Sequence, residues 1–261
     1  MKVVILCGGK GTRMREETEY KPKPLVEVGG MPILWHIMKI YSHYGFNDFV
    51  LCLGYKGNMI KEYFLNFEWF TNDFTLHMGN GKGKITTHAH SMEHWNITFA
   101  DTGEDTDTGG RVKKIEKYID DDTFFLTYGD GVADVNISNL LEFHRSKGKI
   151  ATVTGAKPTS RFGVLNVDEF GIAKSFAEKP ATDGLINGGF GVFDREIFNY
   201  LTEESNFERD ALQKLAKKGD VAVYRHDGFW QCMDTYKEVE EFNKQWNLNN
   251  RPWVVWKNDD I

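Results

Sequence analysis

Cysteine is scarce in this chain. The three present, Cys7, Cys52 and Cys232, show no C-x-x-C spacing. That argues against a disulfide framework and for a reducing compartment. Two of them stand in apolar, strand-like runs, where a thiol serves as a small hydrophobe. No apolar run approaches the roughly 18 residues that a membrane-spanning helix needs. No basic segment followed by a long apolar one opens the chain either, so a soluble, cytoplasmic protein is expected. Positive charge is also in deficit: 32 Lys and Arg stand against 38 Asp and Glu, a net charge of −6. A general nucleic-acid binder would carry a basic face, so that class is disfavoured. A small anionic substrate is not, because site charge is local and net charge is not. No Pro/Ser-rich linker, low-complexity stretch or internal repeat divides the 261 residues, and one domain over residues 1–261 is expected.

Short apolar runs alternate with helix-spaced ones. Residues 3–7 read VVILC and residues 49–54 read FVLCLG, the pattern of strands buried on both faces. Residues 33–42 carry apolar side chains at helical spacing, with Pro32 at the start and Gly45 at the end. Another helix is expected over 58–67. This order implies right-handed crossovers onto a parallel sheet. Residues 72–99 differ, since FTLHM and KITTHAH alternate about the turn signal GNGKG, and a small β-rich insertion is expected there. Residues 100–110 are polar and read as a loop, with a short helix over 112–118. Further strands are expected over 123–131, 150–156, 185–194 and 221–226, with a hairpin over 163–180. Helices are expected over 138–147 with Ser138 as N-cap, over 208–218, and over 236–248 leading into a tail that ends at 261. The fold class expected is α/β, a mixed, mostly parallel central sheet with helices on both faces plus the β-rich insertion.

Several short motifs carry chemistry. GGKGTR follows the first strand at residues 8–13. It is neither a Walker A loop nor the dinucleotide fingerprint, which both need other spacings. Its glycines could serve only a tight turn. They also leave bare backbone N–H groups beside the Thr12 hydroxyl and the Arg13 fork, which suits phosphate oxygens. Lys21 and Lys23 sit in KPKP, either a solvated basic segment or a lysine held by stiff backbone. Asp130 ends an apolar strand, where open α/β sheets bind ligands. Mg²⁺ against phosphates would need a second carboxylate, for which Asp234 in GFWQCMDT is the candidate. Glu178 and Lys179 could be a surface ion pair, or could hold sugar hydroxyls and a sugar phosphate. Asn187, Gly188 and Gly189 could be a plain bulge or a place where backbone approaches a sugar. His88, His90 and His94 spell H-x-H-x3-H, but an exposed polar segment explains them as well as a zinc site lacking a fourth ligand does. The seven tryptophans read as core or interface.

Taken in order, GGKGTR, the KP lysine, YGD, GVLNVDEFGIAKSFAEKP, NGG and the late aspartate resemble the sugar-1-phosphate nucleotidyltransferases, from residue 1 to about residue 246. The resemblance implies a Rossmann-like sheet and a homo-oligomer, a hexamer among the forms to test. It implies nucleotide binding by Leu6, Gly8, Gly9, Gly11, Thr12, Arg13 and Lys23, with Gly110 and Arg111 near the base and Arg111 contacting cytosine. It implies a sugar-phosphate site at Gly163, Glu178, Lys179, Asn187 and Gly188, and Mg²⁺ on Asp130 and Asp234. Arg13, Lys23 and Lys179 would be catalytic. KPKPLVEVGGMPILWHIMKIYSHYG, TGEDTDTGGR and GFWQCMDTYKE are most similar to the members that join CTP to glucose 1-phosphate, giving CDP-glucose and pyrophosphate. Where other members carry Asp-x-Gly-Thr, this chain has Asp234-Thr-Tyr-Lys and keeps the aspartate. The same chemistry with UTP, dTTP or GTP stays open, as does a non-catalytic nucleotide sensor. A glycosyltransferase would show a D-x-D pair, but Asp130 has glycine on both sides.

Overall fold

The apolar runs become the inner strands of a single sheet. The computed structural model describes residues 1–79, 83–88, 93–157, 164–177 and 184–256. Among these, seven strands form the sheet: β1 (Lys2–Leu6), β2 (Asp48–Leu53), β3 (Asn96–Asp101), β4 (Thr123–Tyr128), β5 (Ala151–Ala156), β6 (Ile186–Asp194) and β7 (Val221–His226). Their spatial order is β7-β5-β6-β4-β1-β2-β3. β1 lies parallel to β4 and β2, β2 to β3, and β5 to β7. β6 alone in this sheet runs antiparallel to its neighbours. Val3, Val4 and Ile5 of β1 are all fully buried, which is why the run is continuous rather than alternating.

The principal helices are α1 (Ile33–His43), α2 (Gly57–Leu65), α3 (Thr108–Lys114), α4 (Ile137–Lys147), α5 (Gln213–Lys218) and α6 (Tyr236–Asn247). They cover both faces. Ile5, Leu51 and Phe125 pack with residues of α1 and α6 on one side. Val4, Val50 and Phe124 pack with Val112 and Leu215 on the other. Phe124 and Phe125 thus point to opposite cores, each contributing about 1.5–3 kcal/mol by burial. Every residue from Ile33 to Tyr41 is buried, so α1 is enclosed rather than amphipathic. His36, inside it, bonds the Val28 carbonyl at 2.9 Å. Burial pulls its pKa down to about 4, overriding bonds to the Val28 and Met31 carbonyls.

From β1 the chain runs outward to β2 and β3, then returns to β4 on the other side of β1. The crevice beyond the carboxyl ends of β1 and β4 is therefore the topological switch point, where sheets of this kind bind ligands.

Several local details depart from the sequence pattern. α3 begins at Thr108, inside the stretch expected to be loop, with Asp107 as its cap. The N-cap of α4 is Asn136, which accepts from the Asn139 N–H, rather than Ser138. The expected helix over 208–218 starts as a π-helical turn, Phe207–Leu212, before α5. The insertion is an antiparallel ribbon of Phe74–His77 and Lys84–Thr87, and a second ribbon pairs Val164–Val167 with Ala173–Ala177. His88 bonds Thr75 at 2.6 Å, and His90 lies outside the described residues. The three thiols are unpaired, and burial raises the pKa of Cys52 to about 12 and of Cys232 to about 11. Among the described residues no helix is long and apolar enough to cross a membrane.

Candidate active site

The loop after β1 is shaped by close approach. The Gly8 carbonyl accepts from the Tyr55 N–H at 3.2 Å and from Arg111 Nη2 at 3.0 Å. A Cβ on Gly8 would fall 2.0 Å from Arg111 Nη1, so any larger residue would displace the guanidinium. Gly11 has φ of +60° and turns the chain into a short 3-10 segment, Thr12–Met14, that leaves Arg13 exposed. Gly9 has open space on its Cβ side, which leaves that stretch of backbone accessible to a ligand.

Four charged side chains converge beside this loop. Lys23 Nζ lies 2.6 Å from Asp130 Oδ2 and 2.6 Å from Asp234 Oδ1. Arg13 Nη1 lies 3.0 Å from Asp234 Oδ2. Burial works against the charge on Lys23, but Asp130 and then Asp234 outweigh it and push its pKa up. Each group is held by its own local structure. Lys23 opens a 3-10 turn between Pro22 and Pro24, whose rings fix the backbone. Asp130 follows β4 through Gly129, whose N–H bonds the Leu6 carbonyl at 3.0 Å. Asp234 is brought alongside by the ribbon pairing Trp230–Cys232 with Gly131–Ala133, and the Met233 N–H bonds the Asp130 carbonyl at 2.8 Å. The capping box of Thr235 and Glu238 at the start of α6 then holds the Asp234 N–H at 2.6 Å.

Of these four, Lys23 and Asp130 line a cleft of about 290 Å³, together with Leu6, Thr106, Asp107, Thr108, Arg111 and Tyr128. A wider groove of about 790 Å³ lies behind α3. It carries paired charges, Lys113 with Glu116 at 2.7 Å and Lys114 with Glu203 at 3.8 Å, and none of the four converging residues.

Arg111, expected to contact the base, lines the cleft and is held by a ring of acceptors. Its buried Nη1 donates to Leu53 O (3.2 Å), Thr102 Oγ1 (2.8 Å) and Gly103 O (2.7 Å). Its Nη2 donates to Gly8 O and Glu104 O, both at 3.0 Å. Burial lowers its pKa, against the opposing influence of Cys52, Cys7, Asp107 and Asp101. As placed, Arg111 locks the loop after β1 to the segment before α3. Gly110, expected beside the nucleotide, packs closely on its other neighbours: its N–H bonds the Ser205 carbonyl at 2.8 Å, and a Cβ would fall 2.1 Å from Glu203 O.

Residues 2–247 match the model of the nucleotidyl transferase family. The chain belongs to that family. A probable glucose-1-phosphate cytidylyltransferase of Bacillus subtilis is 53% identical over 258 residues, spanning 98% of this chain and 100% of the relative. The glucose-1-phosphate cytidylyltransferase of Salmonella typhi is 45% identical over 260 residues, again 98% and 100% of the two chains. The crystal structure of HddC from Yersinia pseudotuberculosis superposes with a TM-score of 0.70 at 22% identity, over 94% of this chain and 99% of that one, a likeness of fold.

Asp130 in the cleft and Asp234 beside it are of the kind that share a cation. Among the described residues no cluster of three or more His, Cys, Asp or Glu could hold a metal unaided. Asp130 and Asp234 nevertheless converge on one point, the Lys23 ammonium, and two carboxylates completed by substrate phosphates are how Mg²⁺ is usually held. At the positions expected to meet the sugar phosphate, the Gly188 carbonyl is fixed by Trp230 Nε1 at 2.7 Å, and Asn187 Oδ1 accepts from the Gly189 N–H at 3.0 Å. Gly163, Glu178 and Lys179 lie outside the described residues. Lys21 points elsewhere, to Glu27 at 3.2 Å. Sequence reasoning missed Thr106, Asp107, Thr108 and Tyr128. Asp107 before Thr108 is an N-cap signal that marks the start of α3, while Tyr128 carries no signal beyond standing next to Gly129-Asp130.

Proposed function

We propose that this protein transfers a cytidylyl group from CTP to α-D-glucose 1-phosphate, releasing CDP-glucose and pyrophosphate. The observation that carries it is the meeting of Arg13, Lys23, Asp130 and Asp234 at the switch point of the sheet. Identity of 53% over nearly the whole chain to a probable glucose-1-phosphate cytidylyltransferase supports the choice of substrates.

In the reaction, a phosphate oxygen of the sugar phosphate attacks the α-phosphorus of CTP in line. A new P–O bond forms there as the bond to the bridging oxygen of pyrophosphate breaks. The nucleophile is already anionic at neutral pH, so no general base is required. The difficulty is bringing two anions together, which is met by positioning and by fixed positive charge. The backbone around Gly9 and the Arg13 guanidinium receive the triphosphate. Lys23 and Arg13 stabilise charge gathering on the departing pyrophosphate, and Lys179 holds the sugar phosphate, with Asn187 and Gly188 beside it. Asp130 and Asp234 would hold Mg²⁺, which when bound neutralises phosphate charge and polarises the phosphorus.

The protein's partners are then these small molecules, with no nucleic acid or membrane, and its unpaired thiols fit the cytoplasm. Self-association into a homo-oligomer is supported by exposed apolar side chains on the two ribbons, Leu76 and Ile85 on one and Leu165 and Phe176 on the other. Sedimentation would give the number of subunits, with six to be tested first.

The deciding assay incubates the protein with glucose 1-phosphate, Mg²⁺ and each of CTP, UTP, dTTP and GTP, following pyrophosphate release. Release with CTP alone is expected. Release with another nucleotide would move the base specificity, and none with any would leave a nucleotide-binding protein without this activity.

A further inference from the structure

Glu208 joins the two halves of the cleft without lining it. It sits in the π-helical turn Phe207–Leu212, a winding that is rare and recurs at functional sites. Its Oε1 accepts from the hydroxyl of Tyr128, at the end of β4 and two residues before Asp130. Its Oε2 accepts from Thr108 Oγ1 at 2.9 Å, at the first residue of α3. Tyr128 and Thr108 both line the cleft. The Tyr128 ring also lies against Gly189, whose N–H bonds Asn187 Oδ1 at 3.0 Å, at the head of β6. One line of contacts therefore runs from Asn187 on the sugar-phosphate side, through Tyr128 and Glu208, to Thr108 on the nucleotide side.

The surroundings are built to keep this line in place. Burial, and after it the Glu208 carboxylate, push the Tyr128 hydroxyl upward in pKa, so it remains a donor. Gly189 has φ of +83°, and a Cβ there would fall 2.9 Å from Tyr128 Cδ2. The residues flanking Glu208 grip the start of α3: Asn206 Nδ2 donates to Asp107 Oδ1 at 3.1 Å and the Phe207 N–H to Thr108 Oγ1 at 3.0 Å. A Cβ on Gly109 would fall 2.6 Å from Ser205 O, so the Gly109-Gly110 pair is what lets α3 dock this closely.

We propose that Glu208 is a positioning residue for the transfer, setting the distance between the nucleotide wall and the sugar-phosphate wall so that the two pockets form together. This rests on reading the cleft as the two-substrate site. A carboxylate suits the task because it accepts from two hydroxyls at once and has no hydrogen of its own. Glutamine keeps the length and one acceptor oxygen, and its amide can donate to a rotated hydroxyl. Alanine removes both acceptors and leaves the Tyr128 hydroxyl without one of its partners.

The test uses the full-length protein as Glu208→Ala, Glu208→Gln and Tyr128→Phe. It measures the KM for CTP, the KM for glucose 1-phosphate, kcat, and the thermal midpoint. For Glu208→Ala both KM values should rise about tenfold, with kcat falling by up to about 10²-fold, the scale of a misplacement near 1 Å. Glu208→Gln should recover most of that loss, and Tyr128→Phe should raise chiefly the KM for glucose 1-phosphate. Should Glu208→Ala fail to fold, the other two variants carry the same test. Wild-type kinetics in Glu208→Ala, or equal melting losses in the Ala and Gln variants with unchanged KM values, would overturn the proposal. Inactivity of the unaltered protein with every nucleotide would overturn the reading of the cleft and this role with it. Full activity of both the unaltered protein and Glu208→Ala would overturn this role alone.

Discussion

The ammonium of Lys23 stands 2.6 Å from Asp234 Oδ1, joining residues 211 positions apart. With Asp130 at the same distance on its other side, the lysine occupies the point where the two carboxylates would share a cation. Lys23→Ala should lower kcat by about 10²–10³, the usual cost of removing one charge-stabilising contact from a reacting group. Near-normal turnover would rule out its part in the reaction. Lys23→Met separates charge from shape, because it removes the ammonium shared by the two carboxylates and leaves Arg13 on Asp234. Mn²⁺ binding to the protein without nucleotide, read by electron paramagnetic resonance, should tighten in this variant. Equal affinity in the two proteins would mean that the lysine does not compete for the site.

Asp130→Asn keeps the shape and removes one of the two negative charges. Activity dependent on a divalent cation should be lost, and Mn²⁺ binding in the presence of CTP should weaken. The circular dichroism spectrum should stay that of the unaltered protein, since Asp130 is partly exposed at a strand end. Full activity of the unaltered protein in excess chelator would refute the assignment.

Arg111 acts on the fold as much as on the site. Arg111→Ala leaves the carbonyls of Gly8, Gly103 and Glu104 without the charged donor they share. A hydrogen bond to a charged group is worth about 1.5–3 kcal/mol, so unfolding in urea should show a loss of at least that size. Arg111→Lys should recover little, because a single ammonium cannot reproduce the planar fork that reaches acceptors on both sides. A stable Arg111→Ala protein that merely changes its preference among nucleotides would restore the base-reading role.

His36 makes the fold acid-sensitive. Its pKa is about 4 in the folded chain against 6.5 when exposed, so the unfolded chain takes up a proton first as pH falls. The stability it preserves is complete above pH 6.5 and drains away as pH drops through the window to about 4, by roughly 3 kcal/mol in all. Urea midpoints measured from pH 7 to pH 4 should fall across that window. They should be flatter for His36→Gln, which keeps a donor for the Val28 carbonyl. A midpoint independent of pH in the unaltered protein would refute this.

How much was legible in the chain depended on how local the cause was. β1, β2 and α1 were readable because burial on all sides leaves continuous apolar runs, and the loop after β1 because glycine and arginine stand together. The order of motifs marked Arg13, Lys23, Asp130 and Asp234. Contacts between distant segments left no such trace. α3 was read as partly loop because residues 100–110 are polar, yet its start at Thr108 is fixed by close docking of Gly109 and Gly110 on the Glu203 and Ser205 carbonyls. The resemblance placed Arg111 near the base, but nothing local in the sequence shows the carbonyls that surround its guanidinium.

Local sequence thus determined the strands, the phosphate-type loop and the identity of the charged groups, since each follows from periodicity or from the chemistry of neighbouring residues. Tertiary structure alone decided that Asp130 and Asp234 meet on Lys23, that Arg111 is ringed by buried carbonyls, and that Glu208 bonds both Tyr128 and Thr108. Those outcomes depend on pairing between distant strands and on which buried acceptors lie within reach of a donor, and neither is encoded in any short stretch of chain.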